Sequence, residues 1–171
     1  MKTLYLLRHA KSAWDDPTLD DHDRPLAPRG ERAAVLMGRY LAQCQIAPEL
    51  VLCSTARRAM DTRALAFSQL GGEPTTEFER ALYLAGRKGV LARLAAVAGG
   101  YASILVIGHN PDLHDLARGL ADTGDPSGLS ALAAKLPTAG FVALELDIDD
   151  WADIAKAHGR LVDFKAPRDL V

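Results

Sequence analysis

Three short apolar runs constrain the architecture of this chain more than any other feature: TLYLL at 3–7, LVLC at 50–53 and SILVI at 103–107. Each is apolar almost throughout and too short for a stable helix. Strands buried on both faces of a parallel sheet read this way. Each run breaks off abruptly into polar residues, as Arg8-His9-Ala10-Lys11, Ser54-Thr55-Ala56-Arg57-Arg58 and Gly108-His109-Asn110-Pro111. Parallel strands need long crossovers, and the segments between the runs carry helical patterns.

The loop DDPTLDDHDRPLAPRG contains eight Asp or Pro residues, which resist helix formation, and Pro28 then suits a helix start. Ala33, Met37, Tyr40, Leu41 and Cys44 follow at helical spacing and predict one inward face. STARRAMDTRALAFSQL predicts a second helix with Ser54 as its N-cap. A strand near 75–78 and a helix over about 86–98, closed by Gly99-Gly100, come next. After SILVI, Asn110 suits a cap and Pro111 a first helical position, with Leu113, Leu116, Ala117 and Leu120 as the inward stripe. Residues 121–139 read as a Gly/Pro-rich loop and a short Ala/Leu-rich helix. FVALELD at 141–147 and RLVDFK at 160–165 read as strands, close enough in sequence for one antiparallel edge pairing. The expectation is a single domain over residues 1–171, a three-layer α/β/α fold with a mostly parallel sheet.

The net charge of −2 offers no global attraction to nucleic acid or a membrane surface. No apolar run approaches the roughly 20 residues of a membrane helix. The first strand starts so near Met1 that a signal peptide has no room, so the cytoplasm is the expected location. Cys44 and Cys53 lack paired spacing and read as reduced thiols.

Ligands of such sheets bind beyond the carboxyl ends of the strands. Convergence of the three strand tips would gather Arg8, His9 and Lys11, Ser54, Arg57 and Arg58, and His109 and Asn110 on one edge. Helix N-termini there add N–H donors. The implied ligand is an anion, and a phosphoryl group best suits bidentate arginine. Taken singly, each piece has a plain explanation: a surface turn, a solvated face, a capping turn. Arg57-Arg58 at a helix start is, however, electrostatically misplaced unless an anion is the partner.

LLRHAKS resembles the R-H-G or R-H-A signature of the histidine phosphatase superfamily, which has the phosphoglycerate mutase-like fold. STARRAMDT is similar to its S-P-x-x-R-A-x-x-T motif, and VIGHNPDL resembles its third motif. Arg24 to Gly30 (R-P-L-x-x-x-G) and the segment K-L-P-T-A-G-F look like the small SixA-type phosphohistidine phosphatases. The resemblance runs nearly the whole chain. It implies that His9 is a nucleophile forming a covalent phosphohistidine, with Arg8 and Arg58 as phosphate clamps that keep His9 neutral. His109 would donate to the transferring phosphoryl group. Arg24 reaches the phosphate or tethers the acidic loop through Asp20, Asp21 or Asp23. Lys11 and Ser12 are expected at the pocket mouth and Asn110 beside the phosphate. His22, His114 and His158 are expected to be surface or structural histidines. Ala10 stands where the family more often has glycine.

The acidic proton donor of the mutases has no clear counterpart, although Glu77 and Glu79 lie in the relevant stretch. An imidazole leaving group carries its own second nitrogen to protonate, so a missing donor fits phosphohistidine better than a sugar phosphate. The resemblance thus implies a cofactor-free, metal-independent phosphohistidine phosphatase acting on a histidine-phosphorylated protein, such as a phosphotransfer domain. The alternatives are a small-molecule phosphomonoesterase for sugar or nucleotide phosphates, and a non-catalytic phosphate-binding module. A zinc site built from His9, His109 and Cys53 is disfavoured by the adjacent arginines.

Overall fold

The computed structural model describes residues 1–171. Twelve elements alternate along the chain: β1 (Lys2–Arg8), α1 (Pro28–Gln43), β2 (Leu50–Ser54), α2 (Arg57–Phe67), β3 (Thr75–Glu79), α3 (Gly86–Ala95), β4 (Ser103–Gly108), α4 (Asp112–Leu120), β5 (Ala121–Gly124), α5 (Pro126–Ala134), β6 (Phe141–Leu146) and β7 (Gly159–Lys165). The strands form one sheet in the order β3-β2-β4-β1-β6-β7-β5. Every pairing is parallel except those of β6, which runs antiparallel to both β1 and β7.

Alternation along the strands builds the two faces. Leu4, Leu6, Leu50, Leu52, Ile104 and Val106 pack against α3, α4, α5 and Trp151. Leu7, Val51, Cys53, Leu105 and Ile107 face the other way, onto α1 and α2. The three-layer α/β/α architecture with a mostly parallel sheet follows directly, with β1 and β4 at its centre.

Several local expectations are corrected. The antiparallel β6–β7 pair is not at the edge, because β5 adds a further strand beyond β7. β5 (Ala-Asp-Thr-Gly) has almost no strand-forming residues and is set by its pairing with β7. The buried face of α1 is Gly30, Ala34, Met37, Gly38 and Leu41, with Ala33 and Tyr40 half-buried and Cys44 exposed. Glycine hides from a hydrophobic-periodicity reading, so its two contacts were invisible. The predicted stripe of α4 is fully buried.

Gly30 shows what the R-P-L-x-x-x-G spacing does. A β-carbon at Gly30 would overlap the Lys11 carbonyl, because α1 starts directly against the chain leaving β1. The Ala27 N–H donates to that same carbonyl at 2.9 Å. Gly30→Ala is expected to cost about 1–3 kcal/mol through backbone displacement. Thermal unfolding should then shift down by roughly 3–10 °C. An unchanged Tm would show that the contact can relax freely. No helix is long and apolar enough to cross a membrane.

Candidate active site

The tips of β1, β2 and β4 meet at one edge of the sheet, because these three strands are parallel neighbours in register, Arg8 opposite Gly108 and Cys53 opposite Ile107. His9 follows β1, Arg58 opens α2 and His109 follows β4. Together with Tyr83, Asn110 and Asp112 they line a cavity of about 120 Å³. The rings of His9 and His109 lie 5.2 Å apart.

His9 is 8 % exposed. Its Nδ1 sits 2.8 Å from the Ala10 carbonyl, an acceptor, so Nδ1 carries the proton and Nε2 keeps its lone pair. The Ala10 N–H donates to Thr62 Oγ1, and the Thr62 hydroxyl donates to the Arg58 carbonyl, pinning α2 to the β1 tip. Burial lowers the His9 pKa to about 3, with smaller contributions from His109, Arg58 and Arg8. The arginines are therefore secondary to burial in keeping this imidazole neutral. His109 is lowered to about 4, again chiefly by burial and then by Arg58.

Ser54 has a different role from the expected N-cap. Position 56 is the N-cap of α2, and Ser54 Oγ accepts the Ala56 N–H. It also lies 2.8 Å from His109 Nε2. A Ser54 hydroxyl donating to Nε2 leaves the proton on His109 Nδ1, which is buried and has no partner in the protein. That tautomer supplies a donor for a phosphoryl oxygen. Ser54→Ala is expected to lower kcat roughly tenfold through loss of one orienting hydrogen bond. Equal kcat in parent and variant would remove Ser54 from the account.

The arginines are held from several sides. Arg8 Nη1 donates to the Leu136 carbonyl, which also accepts from Asn110 Nδ2. Arg58 donates through Nη1 to the Asp21 carbonyl and through Nη2 to the Asp21 carboxylate. Tyr83 donates its hydroxyl to the same carboxylate at 2.5 Å. Arg24 donates to Ser12 Oγ, lies under the Trp14 ring, and places Nε 3.4 Å from Asp21 without the alignment of a hydrogen bond. Buried donor nitrogens without protein partners remain on Arg8, Arg24, Arg58 and His109.

Other expected residues fall outside this cavity. Ser12 is buried and accepts from Arg24, and Lys11 lines a separate groove with Arg29 and Arg168. Glu77 and Glu79 are both paired with Arg93, at 2.5 and 2.7 Å. Arg57 pairs with Asp61 on the exposed side of α2. Cys53 points into the α1–α2 core, where burial pushes its thiol up to about 12. No three His, Cys, Asp or Glu side chains are grouped to hold a metal.

Among the remaining histidines, His114 bonds the Leu132 carbonyl and His158 pairs with Asp122, and neither lines the cavity. His22, expected as a surface or structural histidine, takes a structural place beside the site. It reaches Thr55 Oγ1 at 2.9 Å and packs 4.9 Å from Tyr83, which in turn packs on His109. Tyr83 carries no signal in the sequence, and Asp21, expected only as one candidate tether for Arg24, also holds Arg58 and Tyr83, because these loops meet only in the fold. Asn110 and Pro111 precede α4, whose first residue is Asp112.

The two low imidazole pKa values carry a consequence for stability. In the unfolded chain each histidine takes up a proton as pH falls through about 6.5. In the fold neither does until about 3 and 4. The unfolded state therefore gains protons first, and stability falls as pH drops below about 6.5. The expected result is a lower Tm at pH 4.5 than at pH 7.5, with a smaller drop in His9→Asn. An identical drop in parent and variant would mean that His9 titrates normally.

The sequence model of the histidine phosphatase superfamily (branch 1) matches residues 4–82. An uncharacterized protein of Mycobacterium tuberculosis is 38 % identical over 164 residues, 95 % of this chain and 100 % of the relative. A candidate SixA phosphohistidine phosphatase from Nakamurella multipartitia superposes with a TM-score of 0.83 at 32 % identity, covering 97 % of this chain and 96 % of that one. A similar candidate from Agrobacterium tumefaciens gives a TM-score of 0.81 at 29 % identity, over 97 % and 98 %. With both imidazoles and Arg58 gathered on the cavity these motifs build, the chain belongs to the histidine phosphatase superfamily.

Proposed function

We propose that this protein is a metal-independent phosphohistidine phosphatase that removes phosphate from a histidine-phosphorylated protein. One observation carries the reading: His9, neutral and with Nε2 free, faces a small cavity lined also by Arg58 and His109, each with a buried unpartnered donor nitrogen, while Arg8, the residue before His9, carries another. A neutral imidazole is a nucleophile at pH 7, and the surrounding donors suit the charge of a phosphoryl group in transfer. His9 Nε2 attacks phosphorus, Arg8, Arg58 and His109 bind the phosphoryl oxygens, and water then cleaves the phospho-His9 adduct. Arg24 and Asn110 support the arrangement from its edge.

The preference for a protein substrate rests on the dimensions of the site. A cavity of about 120 Å³ has room for a phosphoryl group and little more, while Leu84 at its mouth is 83 % exposed. The rest of the substrate must stay outside. Glu77 and Glu79 are engaged by Arg93, so neither supplies the mutase-type acid. The two SixA-like structures similar to this chain agree with the reading.

The test compares phosphate release from a histidine-phosphorylated phosphotransfer protein with release from sugar and nucleotide phosphates, in the presence of chelator. A higher kcat/KM on the phosphoprotein is expected. Preference for a sugar or nucleotide phosphate would replace this reading with a small-molecule phosphomonoesterase, and loss of activity in chelator would refute metal independence.

A further inference from the structure

We propose that Asp112 is the proton donor of this site, protonating the leaving group as its bond to phosphorus breaks. The proposal rests on the phosphatase reading above and identifies the acid that the sequence motifs leave unassigned. Asp112 opens α4, three residues after His109, and lines the same cavity as His9 and Arg58. The residue is 5 % exposed, and its Oδ2 is buried without a hydrogen-bond partner. It is the one carboxyl group lining that cavity.

The other nearby carboxylates are committed elsewhere. Asp21 is bonded to Tyr83 and Arg58, contacts that hold it below the usual carboxylate range and thus charged. Glu77 and Glu79 face Arg93. Asp112 is pushed the opposite way, upward, by burial and to a small extent by Asp115, with backbone N–H groups of Gly86, Asp112 and Ala85 opposing in part. The charged or titratable groups sharing its cavity are His9, Arg58, Tyr83 and His109. A buried carboxyl with one oxygen unpartnered beside a phosphoryl-transfer site has the properties of a general acid.

The proton count closes over the cycle. His9 Nε2 gives its lone pair to phosphorus, and the P–N bond of the substrate breaks with its electron pair staying on the leaving ring. Asp112 passes its proton to the second nitrogen of that ring, which departs as neutral imidazole. In the second half a water attacks phospho-His9 and its protons leave with the phosphate and the solvent, from which the Asp112 carboxylate is reprotonated, so this half, common to all substrates, does not depend on Asp112. The P–N bond to His9 breaks back onto Nε2, leaving phosphate, neutral His9 and a protonated Asp112. With a phosphate ester the same proton goes to the departing alcohol oxygen.

Asp112→Asn separates this role from a structural one, since Asp112 also sits against the start of α3. Parent and variant are compared on phosphoimidazole, phosphoserine and p-nitrophenyl phosphate; the last expels a stable anion that needs no proton. The expected result is a kcat loss of about 10²-fold on the first two and less than about threefold on nitrophenyl phosphate. Equal loss on all three would make Asp112 structural, and no loss on any would remove it from catalysis; either overturns the proposal. If the parent cleaves phosphoserine and not phosphoimidazole, the phosphohistidine reading fails. The comparison of phosphoserine with nitrophenyl phosphate then still decides the role of Asp112.

Discussion

His9→Ala is expected to reduce phosphate release by at least about 10⁴-fold, the scale on which removal of a covalent nucleophile acts. The protein should stay folded, because the His9 side chain makes a single hydrogen bond, to its neighbour's carbonyl. The β1 tip is held instead by backbone contacts, His9 N–H to Gly108 and Ala139 N–H to the His9 carbonyl. His9→Ala should even be more resistant to mild acid, since it removes an imidazole that the fold keeps neutral. An unaltered rate in His9→Ala would end the covalent mechanism, and a lost rate with an unfolded protein would require His9→Asn instead. Measured kcat and Tm on the same preparation distinguish the two.

Arg58 carries the second-largest expected effect. Arg58→Ala should lower kcat by about 10²–10³-fold, the cost of removing one donor from a developing anionic charge. Arg58→Lys should recover little of it. A lysine cannot donate to both the Asp21 carbonyl and its carboxylate while also turning a planar donor toward the phosphoryl group. The effect should fall mainly on kcat, with thermal stability reduced modestly because the Asp21 turn loses an anchor. A variant with raised KM and unchanged kcat would mean that Arg58 binds the ground state only.

The parts of this site that were legible in the sequence are those created by strands. TLYLL, LVLC and SILVI are continuous apolar runs, and parallel strands deliver their carboxyl ends to one edge, so the run pattern alone places His9, Arg58 and His109 together. The parts that were not legible depend on loops meeting across long sequence separations. Asp21 reaches Arg58 over 37 residues and Tyr83 over 62, and no local pattern marks either contact. Ser54 looked like a helix cap because serine before a helical run usually is one; the helix begins three residues later and the hydroxyl is spent on His109. Asp112 has no role in the sequence motifs, and only its buried, unpartnered oxygen distinguishes it from an ordinary first-turn aspartate. Glu77 and Glu79 were plausible donors until Arg93, one strand-to-helix step later, was seen to take both.

The most direct test of the central claim is to trap the enzyme during turnover. The protein is mixed with a histidine-phosphorylated protein carrying a labelled phosphoryl group, quenched in alkali to preserve P–N bonds, and its peptides are mapped. The account predicts label on the peptide containing His9 that appears before free phosphate and is absent from His9→Ala. Release of phosphate with no label on the protein, or with label on any other residue, would contradict it.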